Sequence, residues 1–236
     1  MDTYALDPAT MTWYVGPEGS GSPSARFGHS ASLVNGNLMV VFGGSNGEKF
    51  FNDVNILHLE TMSWVKPELS GPAPSPRYLH SAIAYKNFVL VHGGFAFHGY
   101  DAGQPDYGSR LRDCYYNDMR LLDVNARCWK RFNMVSGKPM APRFGHSMNF
   151  SRNHLIIFGG WSNNAQGKRI VGDNGHMRAL NLVTYEWENI SLQNAMPKNR
   201  YGHSATSFKE NIIVFGGWEF NRSTNELIIL KYIDED

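Results

Sequence analysis

The sequence predicts an all-β fold, a β-propeller assembled from radially stacked, four-stranded antiparallel sheets, and three observations carry that prediction. A five-residue pattern occurs four times, as Arg26-Phe27-Gly28-His29-Ser30, Arg77-Tyr78-Leu79-His80-Ser81, Arg143-Phe144-Gly145-His146-Ser147 and Arg200-Tyr201-Gly202-His203-Ser204. Each copy leads to a double glycine (Gly43-Gly44, Gly93-Gly94, Gly159-Gly160, Gly216-Gly217) that starts 17, 16, 16 and 16 residues after its arginine. Tryptophans recur in step at Trp13, Trp64, Trp129 and Trp187, and the next arginine follows after 13, 13, 14 and 13 residues. Self-similarity at roughly 40–50 residues is the period of a four-stranded propeller blade.

Between each His-Ser and its double glycine, a turn signal separates two short apolar runs. In the first copy this is Asn35-Gly36, a dipeptide that accepts two positive φ angles in a tight hairpin. Lys86-Asn87, Arg152-Asn153 and Glu210-Asn211 are read at the corresponding places. The second run, Leu38–Phe42 in the first copy, is continuously apolar, as expected for a strand covered on both faces. A double glycine at its end gives positive φ and lets a neighbouring chain approach without a Cβ in the way.

A loop follows, then a third strand and a fourth that carries the tryptophan. Asp7, His58, Asp123 and Asn181 stand six residues before each tryptophan; Asp and Asn there are side-chain closures of the turn between strands three and four, and His58 is the exception. Tryptophan offers a large apolar plate with one N–H, suited to wedging between neighbouring sheets. One such sheet cannot bury both its faces, and radial stacking solves that.

The blades are expected at 24–65, 75–130 and 141–188. Residues 198–233 supply three further strands, and 4–15 supply two that are able to complete that last blade. The whole of 1–236 is then read as a single repeat domain of about four blades, either a small closed ring or an arc of a larger propeller.

Composition narrows the function. The 22 Lys and Arg against 21 Asp and Glu leave a net charge of +1, no basic footprint for nucleic acid and no strong attraction to anionic lipid. The apolar runs fall far short of the roughly 20 residues of a membrane-spanning helix. Cys114 and Cys128 are the two cysteines of the chain, too few for a disulfide framework, so a reducing, cytoplasmic setting is expected.

The arginine, His-Ser, double glycine, turn residue and terminal tryptophan together resemble the kelch repeat over about residues 4–233. That resemblance implies a kelch β-propeller and a tendency toward protein binding, although the same scaffold also hosts enzymes.

Double glycine to tryptophan spans 21, 36 and 28 residues, so the length variation lies in the strand two-to-three loops, 45–51, 95–115, 161–173 and 218–224. In an up-and-down meander these loops share a face with the linkers between blades, and variable loops on a rigid scaffold carry recognition. The partner-binding candidates are Phe97, His98, Tyr100, Tyr107, Arg110 and Arg112 in the longest loop, Trp161, Lys168 and Arg169 in the third, and Trp218 and Arg222 in the fourth. Phe95, Trp161 and Trp218 have a competing reading, in which they fold back on their own blades.

The repeating His29, His80, His146 and His203 are read as architectural rather than as metal ligands, because every blade requires one. The repeating arginines share that logic. Glu48, Asp53 and His58 resemble the acidic-histidine iron site of plant kelch specifier proteins with a different spacing, and Cys114 beside Tyr115 resembles the crosslinked pair of copper oxidases without a histidine set. No cofactor, metal or catalytic residue is assigned. The expected function is a non-catalytic protein-interaction module. The alternatives are a propeller enzyme with an axial site and a kelch segment of a larger regulator such as a kelch–phosphatase fusion.

Overall fold

A computed structural model describes residues 3–98, 112–162, 176–194, 196–219 and 221–231. Strands come where the repeat places them. Tyr4–Asp7 (β1) and Thr12–Val15 (β2) pair as a two-stranded ribbon, Tyr4 opposite Val15. Ser30–Val34 (β3), Leu38–Phe42 (β4), Val54–His58 (β5) and Ser63–Val65 (β6) form the first antiparallel sheet, in chain order.

Ser81–Tyr85 (β7), Phe88–His92 (β8), Met119–Asp123 (β11) and Cys128–Arg131 (β12) make the second sheet. Phe95–His98 (β9) and Arg112–Tyr115 (β10) pair as a ribbon between its inner strands, so both ends of the segment read as the longest loop are strand. Phe144–Ser151 (β13), His154–Trp161 (β14), Met177–Asn181 (β15) and Trp187–Glu188 (β16) build the third sheet. Ser204–Phe208 (β17), Asn211–Phe215 (β18) and Leu227–Leu230 (β19) build the fourth, three strands wide. Among the described residues there are thus three four-stranded blades and one three-stranded blade, and β2 takes β1 as its partner.

The chain divides into two compact units, one drawn from Met1–Val91, Ala96–Cys114 and Arg120–Arg131, the other from His92–Phe95, Tyr115–Met119 and Phe132–Asp236. In the first, Val34, Val40, Phe42, Val54 and Ile56 meet Val89, Val91, Leu122 and Trp129 in one apolar core. Trp129 lies edge-on to Phe42 with centroids 5.1 Å apart, the wedge between sheets that the repeat predicts. In the second unit, Phe158 and Met177 pack against Ile212 and Val214.

The turns follow the sequence closely. Asn35 and Gly36 both have positive φ, 53° and 78°. In the other hairpins the positive φ falls on Lys86, Arg152 and Lys209. Phe208 pairs with Asn211, so the fourth turn is Lys209-Glu210, one residue earlier than the sequence suggests. Asp7 accepts from the N–H of Ala9, Asp123 from Ala126, and Asn181 from Val183 and Thr184, the side-chain closures expected before strand four.

A further repeated device lies in the linkers. Gly21, Gly71 and Gly137 all have positive φ, and a Cβ on any of them would sit 2.8, 2.2 or 2.5 Å from the carbonyl oxygen of Trp64, Trp129 or Trp187. Each linker therefore lies directly on the tryptophan strand of the sheet that follows it.

Candidate protein-binding face

Linkers and strand two-to-three loops emerge together because short backbone bridges tie them. In the first unit Phe27 and Ser45 exchange N–H···O bonds of 2.8 and 2.9 Å, and Ser45 bridges on to Phe50. The loop between them is closed by Asn46, whose Oδ1 accepts from the N–H groups of Glu48 and Lys49. In the second unit Tyr201 and Trp218 exchange bonds of 3.1 and 2.9 Å, and Trp218 bridges to Ser223.

The arginine and histidine of each repeat build the floor beneath. Arg26 grips Asp53 through both guanidinium branches, at 2.6 and 3.1 Å, donates to the carbonyl of Gly43 at 3.0 Å and lies over the Phe51 ring. Burial alone would raise the Asp53 carboxyl, but hydrogen bonds from Arg26 and Asn55 together with the Arg26 charge outweigh it and hold it below the usual carboxylate range. Arg200 likewise bonds the Gly216 carbonyl, Glu219 and Glu226. Arg143 donates to the Gly159 carbonyl at 2.6 Å, and burial, with the charge of Arg178, pushes it down to about 10. All four arginines have buried side chains and act as architecture.

The backbone register places Asp53, His176 and Glu226 at one repeat position, immediately before strand three. In the second sheet the N–H of Gly93 donates to the Asp118 carbonyl as that of Gly43 does to Asp53, which puts Asp118 in the series. The third sheet is the departure, with an imidazole where the others carry a carboxylate.

Above this floor stand aromatic rows, one in each unit. In the first unit Phe27, Tyr78, Phe50 and Phe97 follow one another at centroid distances of 5.9, 5.3 and 5.9 Å. Phe27 is 54% and Phe97 36% exposed. In the second unit Tyr115, Phe95, Phe144 and Tyr201 make a row that continues to Trp161, 5.5 Å from Tyr201.

Phe95 is buried, so it folds back into its blade, whereas Trp218 is exposed. Arg222 is bound to Glu219 at 3.2 Å while remaining exposed. His98 ends β9 and Arg112 starts β10. Tyr100, Tyr107, Arg110, Lys168 and Arg169 lie outside the described residues.

Sequence reasoning passed over Phe27, Tyr78 and Phe50 because they stand in or beside the repeat frame. It also passed over Leu79. Gly28, Gly145 and Gly202 occupy that repeat position with φ of 63–64°, and Leu79 adopts 52°. A branched side chain in the left-handed region is strained and persists only when its surroundings impose it. The N–H of Leu79 donates to Gly28 at 2.8 Å, as Gly202 does to Gly145, so the ladder between linkers imposes the conformation. The signal in the sequence was a leucine where three copies have glycine.

Two of the histidines join sheets through the serine of the preceding repeat's motif. His80 Nε2 lies 2.8 Å from the Ser30 hydroxyl and His203 Nε2 2.9 Å from that of Ser147. His146 instead meets His92 at 3.0 Å. Two of the four repeating histidines thus take a side-chain hydroxyl, rather than the backbone group expected, as partner between sheets. Asp53 of the considered iron triad is committed to Arg26 and Asn55, and among the described residues no three metal-ligating side chains cluster.

Comparison with known proteins agrees with this geometry. A family profile described as the KLHDC2/KLHL20/DRC7 Kelch-repeats domain matches residues 1–164 and 106–235. Acyl-CoA-binding domain-containing protein 4 of Arabidopsis thaliana is 30% identical over 98% of this chain and 32% of its own length. Rho GTPase-activating protein gacHH of Dictyostelium discoideum is 33% identical over 60% of this chain and 9% of its own length. Kelch domain-containing protein 3 of Mus musculus is 26% identical over 87% of this chain and 51% of its own length. The chain thus spans between a tenth and about half of these relatives. With the blade sheets, the double-glycine junctions and the profile match in agreement, the chain belongs to the kelch-repeat family.

Proposed function

We propose that the protein is a non-catalytic, cytoplasmic interaction module that captures a protein or peptide through the face on which the linkers and strand two-to-three loops emerge. The observation that carries this reading is the row Phe27, Tyr78, Phe50 and Phe97, in which Phe27 and Phe97 keep exposed surface and Phe27 and Phe50 are tied through Ser45 by backbone bridges. Rigid, half-exposed aromatics bind at low entropic cost and are enriched among interface anchors. Trp161 and Trp218 are the corresponding anchors of the second unit.

Two further facts fit. Cys114 and Cys128 form no disulfide, in keeping with a reducing compartment. The relatives bearing the same repeats have names that describe unrelated activities, acyl-CoA binding and Rho GTPase activation, as expected of a portable recognition domain.

The test is affinity capture with mass spectrometry on three chains: intact, Phe27→Ala/Phe97→Ala, and one with 97–112 replaced by a short Gly/Ser turn, each shown to be folded by thermal unfolding. The expected result is a partner captured by the intact chain and lost from both variants. A partner retained by both, or none captured by the intact chain, overturns the reading.

A further inference from the structure

Three Asn-Gly dipeptides occur in the chain, Asn35-Gly36, Asn46-Gly47 and Asn174-Gly175, and the last lies outside the described residues. Such a dipeptide carries a reaction of its own. The backbone nitrogen of the glycine can attack the Cγ of the asparagine, because no Cβ on the following residue screens the approach. The new C–N bond closes a succinimide ring, and the carboxamide nitrogen leaves as ammonia with the proton of the attacking N–H. Water then opens the ring. Cleavage at the side-chain carbonyl leaves aspartate, and cleavage at the backbone carbonyl leaves isoaspartate.

The two described copies stand in opposite circumstances. Asn46 is held, since its Oδ1 accepts from the N–H groups of Glu48 and Lys49 at 3.0 and 2.9 Å. The attacking group is engaged as well, the N–H of Gly47 donating to the Ser45 hydroxyl at 3.1 Å. Reaction there has to break these bonds first.

Asn35 and Gly36 form the centre of the turn between β3 and β4, with φ of 53° and 78°. The N–H of Asn37 closes that turn onto the Val34 carbonyl at 3.3 Å, a bond that spans the dipeptide and engages neither reacting group. Among the described residues the Gly36 N–H meets no acceptor. The carboxamide makes one bond, from Nδ2, the leaving group, to Asn125 Oδ1 at 3.4 Å, and both side chains are exposed. A Cβ on Gly36 would meet nothing within 4 Å, so water has free approach. Exposure belongs to the hairpin tip itself, because Lys86 and Arg152, the left-handed turn residues of the next two sheets, are exposed too.

We propose that Asn35-Gly36 is a site of spontaneous deamidation in the folded protein, which converts position 35 to aspartate and isoaspartate while Asn46 is spared. The two products differ in consequence. Aspartate suits the turn as asparagine does, since Asp-Gly also accepts two positive φ angles, and it adds a negative charge beside Asn125. Isoaspartate inserts a methylene into the backbone between Val34 and Leu38, which the register sets opposite each other. Turn geometry fixes hairpin register, so that product loosens the β3–β4 ladder.

The test is ageing of the intact folded chain in mildly alkaline buffer made with heavy-oxygen water, beside the same chain in urea. Peptide mapping by mass spectrometry then follows the three dipeptides separately. In the folded chain, position 35 is expected to convert roughly tenfold or more faster than position 46, with one heavy oxygen in the product, and the difference is expected to narrow in urea. Ser45→Ala, which frees the Gly47 N–H, is expected to raise conversion at position 46. Equal conversion at the two positions in the folded chain, faster conversion at 46, or conversion at 35 confined to the urea sample overturns the proposal. A rate at 46 that Ser45→Ala leaves unmoved overturns the contrast on which it rests.

Discussion

The Nε2 of His203 and the hydroxyl of Ser147 are 2.9 Å apart, joining two blade sheets through a single side-chain pair, as His80 and Ser30 do at 2.8 Å. Replacing Ser147 by Ala leaves that imidazole nitrogen without its partner at a buried junction. The expected loss is about 1–2 kcal/mol. Denaturant titration of the variant checks it.

The same histidines make stability fall in mild acid. Burial, reinforced by the charges of Arg77 and His29, pushes His80 down to about 3; burial and Arg200 push His203 down to about 4. Unfolded histidine titrates near 6.5, so the unfolded chain binds more protons as pH drops below that value. The stability from these neutral rings is complete above about pH 6.5 and is lost progressively toward their folded values. Urea midpoints at about pH 7.5 and about pH 5 should differ, and the double variant His80→Asn/His203→Asn should show a smaller difference.

The two kinds of double glycine should differ under substitution. A Cβ on Gly159 would stand 2.4 Å from the Arg200 oxygen, whereas on Gly216 the nearest atom is 3.3 Å away. Both have positive φ, so Gly216→Ala is expected to cost about 1–2 kcal/mol for conformation alone. Gly159→Ala adds overpacking and should cost about 3 kcal/mol or more. Equal unfolding midpoints for the two variants would contradict this account of the junction.

Asp53→Asn should cost about 2 kcal/mol, less than a fully buried pair because Asp53 keeps some contact with solvent. The Arg26 guanidinium would retain the Gly43 carbonyl but lose its counter-charge. The loss should change little with salt, since the arginine side chain is 1% exposed.

Leu79→Gly separates stability from recognition. Removing the side chain relieves a left-handed leucine and should raise stability by about 0.5–1 kcal/mol. If Leu79 contributes to the aromatic face, partner capture should weaken in this more stable protein. Unchanged capture would remove Leu79 from the binding surface.

The strands and their order were legible because hydrophobic runs, turn residues and tryptophans recur in step, and each reports a local constraint. The purpose of the paired glycines was only half legible. The sequence indicates positive φ, but that the first glycine faces the next repeat's histidine while the second faces its own is a fact of three-dimensional approach. Gly21, Gly71 and Gly137 escaped notice because their neighbours, the Trp64, Trp129 and Trp187 carbonyls, lie more than forty residues away. Phe95 reads as a loop aromatic yet is buried, because it opens the β9–β10 ribbon and packs against Tyr115 and Phe144. On the candidate face the sequence singled out the variable loops, whereas the described part of the surface uses Phe27, Tyr78 and Phe50 from the constant frame.

His146 turns to His92 where the other junctions use a serine, and this bears on how such a chain can grow or shrink. Junctions of identical chemistry let a whole repeat be duplicated or deleted with its neighbours still fitting. A histidine matched to a histidine breaks that interchangeability at one place. The second and third repeats are therefore expected to be inherited as a pair, while repeats on either side remain free to be exchanged.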